Sequence, residues 1–68
     1  MTDNRIEYAR AVSARTRLEV ALDLVRSARG EITATLPASQ PVVGTVLQLE
    51  IDLARALSQL QIAIKRIP

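Results

Sequence analysis

The chain has 68 residues, one aromatic side chain (Tyr8), no cysteine and no histidine, and a net charge of +2. Disulfides, thiolate metal sites and histidine-based acid–base or metal chemistry are therefore excluded, and a single small domain is the most the length allows. A monomer of this size buries little surface. With no covalent or metal staple to offer, association with another chain is the remaining source of stability.

The N-terminal stretch MTDNRIEYAR has no basic segment leading into an apolar block, so no secretory signal is expected. Asn4 and Glu7 have the spacing of a capping box, with Thr2 and Asp3 as alternative caps. They open a helix expected over about 4–34. Apolar residues recur along it at Ala11, Ala14, Leu18, Ala21, Val25, Ala28 and Ile32, in steps alternating three and four. This is the pattern of a helix packed along one seam. Gly30 could end the helix, or be carried inside it at roughly 1 kcal/mol relative to Ala. Ile32 and Leu36 continue the seam, which favours a helix that passes Gly30 and frays near Thr35.

Two prolines, Pro37 and Pro41, punctuate the middle of the chain and each disfavours the α conformation in the residue before it. A loop is expected over about 35–41. Ser39 or Gln40 would cap a second helix over about 42–66, with Pro41 at its start, where a missing N–H costs nothing. Its seam reads Val42, Val46, Leu49, Leu53, Ala56, Leu60, Ala63 and Ile67. Two long helices, the second of about 25 residues and about 38 Å, joined by so short a loop form an antiparallel pair. The expected fold class is all-α, a two-helix antiparallel hairpin.

A lone hairpin needs one apolar stripe per helix, and this chain carries more. Val43, Leu47, Ile51, Ala54 and Ile62 make a second stripe on helix 2, rotated roughly 110° from the first. Ile6, Ala9, Val20 and Leu24 lie outside the seam of helix 1. The second stripe is assigned to a homodimer interface, and a symmetric four-helix bundle is the simplest closed solution.

No catalytic constellation is present. There is no nucleophile–base pair, glycine-rich phosphate loop or HExxH. Glu50 and Asp52 are two residues apart and so on different helix faces, with Asp52 placed to pair with Arg55. No cofactor or metal is expected, and no run approaches the roughly 18 apolar residues of a membrane span. The expected location is the cytoplasm. Arg5, Arg10, Arg15 and Arg17 crowd the first half of helix 1 and share an end of the hairpin with Lys65 and Arg66. Together with Tyr8, about 80° from the seam, they are the candidate partner-binding residues. Tyr and Arg are the types that dominate binding hot spots. An acidic protein surface is the favoured partner. Nucleic acid is the weaker alternative, because net charge is modest and stacking aromatics are missing.

The Arg- and Ala-rich helix Tyr8–Arg29 and the aliphatic helix Val42–Ile67 resemble the quorum-sensing anti-activator class among small early proteins of Mu-like phages. That resemblance implies a dimeric, non-enzymatic inhibitor acting in the host cytoplasm on a host protein such as a transcription regulator. Leu18-Glu19-Val20-Ala21-Leu22 and Ala54-Arg55-Ala56-Leu57 are similar to stretches of the co-chaperones of type III secretion needle subunits. The two-proline loop departs from that second family.

Overall fold

The structure, a computed structural model, describes residues 4–68 and consists of two helices, α1 (Asn4–Thr35) and α2 (Pro41–Lys65), packed against each other as an antiparallel hairpin. Asn4 is already helical. It is therefore not the cap expected of it, and the candidate caps Thr2 and Asp3 lie outside the described residues. α1 runs through Gly30, whose position is open enough that a Cβ would meet nothing within 4 Å. It stops where Pro37 forces Leu36 out of the helical conformation. The Leu36 N–H still donates to the Ile32 carbonyl at 2.8 Å, and the Thr35 hydroxyl donates to the Glu31 carbonyl at 2.8 Å. The Ile32 carbonyl, one of the last four of the helix, is thereby satisfied. A turn closed by Gln40 N–H to the Pro37 carbonyl, 3.0 Å, leads into α2. Gln40 occupies the cap position with an extended backbone but no side-chain hydrogen bond, and Pro41 sits in the first turn.

Burial resolves each helix into three parallel lines. Ala11, Leu18, Val25 and Ile32 of α1, with Val46, Leu53, Leu60 and Ile67 of α2, form a shared line in which no residue is exposed. One flank of it is Arg15, Leu22 and Arg29 on α1 and Val43, Glu50, Leu57 and Ile64 on α2. This inner line is also nowhere exposed. It holds three of the four most buried side chains, Leu22, Val43 and Ile64, each 5% exposed. The other flank is Ala14, Ala21 and Ala28 on α1 and Val42, Leu49, Ala56 and Ala63 on α2. In this outer line only Ala21 and Ala56 are even half-buried.

The sequence seams thus had the shared line right and its companion wrong. Ala14, Ala21 and Ala28, and Val42, Leu49, Ala56 and Ala63, were expected between the helices. The inner line sits there in their place. The physical reason is size. Leucine, valine and isoleucine fill the space between two helix axes, and burying them removes more apolar area from water than burying alanine.

One ion-pair cluster bridges the helices. Arg29 Nε donates to Glu50 Oε1 at 3.0 Å, and Arg26 Nε lies 3.6 Å from the same oxygen. Both charges lie in the inner line, which also holds Arg15, and each is partly sheltered, so leaving either alone would cost more than the pair contributes. Arg29 facing Glu50 also fixes the register of the hairpin. Nine residues back from Arg29 and nine forward from Glu50, Val20 stands level with Gln59.

Candidate protein-binding surface

The two ends of the hairpin differ in charge. Towards the loop, among the described residues, Arg26, Arg29 and Arg55 are matched by Asp23, Glu31, Glu50 and Asp52, and each of the three arginines lies within 4.0 Å of a carboxylate. At the open end Arg5, Arg10, Arg15, Arg17, Lys65 and Arg66 face only Glu7 and Glu19. There Arg15 lies 3.8 Å from Glu19. Arg5 has an interaction partner of its own.

The five residues expected to bind a partner do not form one patch. Tyr8 and Arg15 line a shallow depression with Gln61, Ile64, Lys65 and Ile67 of α2. Arg5, three residues before Tyr8, lies about 60° from it on the same flank of α1. Arg10 and Arg17 come two residues after Tyr8 and Arg15. A step of about 200° carries them to the far side of the helix. The depression has an apolar floor from buried Ile64 and half-buried Ile67, a half-exposed aromatic wall in Tyr8 and cationic edges in Arg15 and Lys65. An aromatic ring and a small apolar floor within a mostly polar, cationic depression are residue types found at protein-binding hot spots.

Gln61 was not singled out from sequence, and Lys65 only as sharing an end of the hairpin with the arginines. The signal was present in the register: α2 residues level with Tyr8 and Arg15 had to come from its last two turns. A second shallow depression near the start of α2, lined by Pro41, Gly44, Thr45, Gln48, Leu49 and Asp52, has no cation and no aromatic.

The stripe assigned to dimerisation also divides. Val43 is buried against α1 and Ala54 is half-buried, so the hairpin itself already covers them. Val43 belongs to the intrachain core, which corrects its assignment to a dimer interface. Leu47, Ile51 and Ile62 stay exposed, at 40–51%. Asp52 points away from α1, accepts a hydrogen bond from Gln48 Nε2 at 3.0 Å and lies 4.0 Å from Arg55. Glu50 and Asp52 are therefore on different faces.

Among the described residues no cluster of three or more His, Cys, Asp or Glu side chains could hold a metal ion, and no helix is long and apolar enough to cross a membrane. No known protein family, curated protein or solved structure matches the chain.

Proposed function

We propose that the chain is a non-enzymatic, cytoplasmic protein-binding module that sequesters or inhibits an acidic host protein through the depression around Tyr8, Arg15 and Lys65. The observation that carries this reading is the separation of charge along the hairpin. Cations at the loop end are matched by carboxylates. Among the described residues, Lys65 at the edge of the depression and Arg66 beside it make no ion pair. A positive end speeds encounter with an acidic surface, and Tyr8 supplies contact area at small entropic cost. The resemblance to phage anti-activators supports inhibition as the outcome and a transcription regulator as the target.

The test is capture from a host lysate by the tagged chain, compared with Tyr8→Ala and Lys65→Glu variants of unchanged helicity. A regulator retained by the parent and reduced at least tenfold by either variant supports the reading. Equal capture by all three chains removes the site. A secretion needle subunit as the retained protein would select the co-chaperone reading, and nucleic acid would overturn protein binding altogether.

A further inference from the structure

The hairpin leaves its most uniformly apolar surface uncovered. The inner lines include Arg15, Arg29 and Glu50, whereas the outer lines carry no charge from Ala14 on, Glu7 lying one heptad earlier. α1 and α2 run in opposite directions, and each outer line lies on the same rotational side of its shared line. Both outer lines therefore emerge on one broad face of the molecule, opposite the face that carries Tyr8, Gln61 and Lys65. The elongated hairpin, 56 × 14 × 13 Å, also exposes more area than a compact protein of its mass. The chain exposes 5249 Å², whereas a compact protein of 7.4 kDa exposes about 4,200 Å². The excess of about 1,000 Å² is close to what each partner of a stable dimer buries.

We infer that this face docks a second copy of the chain, turned so that the open end of one hairpin lies on the loop end of the other. The rim charges dictate that orientation. One residue line beyond the outer line, α1 presents Arg10, Arg17, Leu24 and Glu31, and α2 presents Asp52, Gln59 and Arg66. In an antiparallel two-fold pair, Arg10 meets Glu31 of the second copy when the axis passes between Val20 and Ala21. Asp52 meets Arg66 of the second copy when the axis passes at Gln59. The Arg29–Glu50 contact sets Val20 level with Gln59. A single axis therefore satisfies both pairs, each of them twice. It also lays the Arg17 stem over Leu24, the most exposed large apolar side chain described, at 66%. Ala14 comes within one residue of Ala28 of the other chain, and Ala21 within one residue of its own copy. Small side chains at these positions let the two hairpins approach closely, and the shared lines complete a four-helix core.

This inference does not depend on the partner reading, since the outer face and the depression around Tyr8 are read out separately. The chain has no cysteine, so introduced cysteines report proximity without background. Mild oxidation of Ala21→Cys should give a disulfide-linked dimer at micromolar concentration, and Ile51→Cys, off the proposed interface, should not. Ala21→Glu should halve the sedimenting mass. Should that variant also lose helicity, the cysteine result decides. Arg10→Glu should weaken association several-fold at low salt, and Arg10→Glu with Glu31→Arg should restore it. Cross-linking at Ile51 with none at Ala21 would overturn the assignment of the face. Failure of the paired charge reversal to restore association would overturn the antiparallel orientation.

Discussion

The inner and outer lines are one residue apart, yet they face different surroundings. The inner line is charged at three of seven positions and is covered. The outer line is uncharged at all seven and is exposed except at half-buried Ala21 and Ala56. Two helices in a chain do not simply join their most hydrophobic lines. They join the lines whose side chains fill the gap, and Leu22, Val43, Leu57 and Ile64 do that where alanine cannot. The charges admitted with them are matched, Arg29 and Arg26 by Glu50. A line that is wholly apolar but small is poorly suited to hold a hairpin closed. It suits the close approach of a second layer, which the outer line is proposed to receive.

The sharpest way to break this contrast is to empty the inner line. Leu22→Ala should destabilise the protein by about 2–5 kcal/mol through lost transfer energy and the cavity left behind. For a chain this small that is a large share of total stability, and thermal or urea unfolding followed by circular dichroism would register it. A melt unchanged within a degree or two would mean that Leu22 does not sit between the helices.

The matched charges give a smaller effect. Glu50→Ala should cost about 1 kcal/mol, and a double-mutant cycle with Arg29→Ala should return most of that as coupling. Independent effects at the two positions would show that the pair contributes nothing in solution. The two glycines test the opposite extreme, positions away from every interface. Gly30 and Gly44 are helical and have open space where a Cβ would stand. Gly30→Ala should raise stability by about 0.5–1 kcal/mol without altering the sedimenting mass. A loss of stability there would place Gly30 against something the hairpin does not contain. Smallest of all, Ile51→Ser on the exposed surface of α2 should stay within about 0.5 kcal/mol of the parent. A larger loss would mean that the surface around Ile51 is covered in solution.

Much of this was legible in the sequence. Pro37 and Pro41 placed the loop, and uninterrupted apolar spacing on either side gave two helices whose observed ends differ from expectation by a residue or so. The passage of α1 through Gly30 followed from Ile32 and Leu36 keeping the seam. The faces were harder. A residue three positions from the shared line and one four positions from it both satisfy a helical seam, so periodicity could not choose between Ala21 and Leu22, or between Leu49 and Glu50. Side-chain volume decided for Leu22, while Glu50 took the place of Leu49 because it faces Arg29 across the hairpin. The Arg29–Glu50 bridge was hidden for the same reason, because each charge reads as solvent-facing until the two helices are set side by side. The candidate binding residues suffered from two-residue spacing. Tyr8 and Arg10, like Arg15 and Arg17, are neighbours in sequence but look in nearly opposite directions.

The account turns on whether the outer line is covered in solution. Sedimentation equilibrium of the unmodified chain at micromolar concentration tests this most directly. The predicted result is a single helical species of twice the 7.4 kDa chain mass, dissociating on dilution together with its helicity. A stable, fully helical species of 7.4 kDa at that concentration would contradict it.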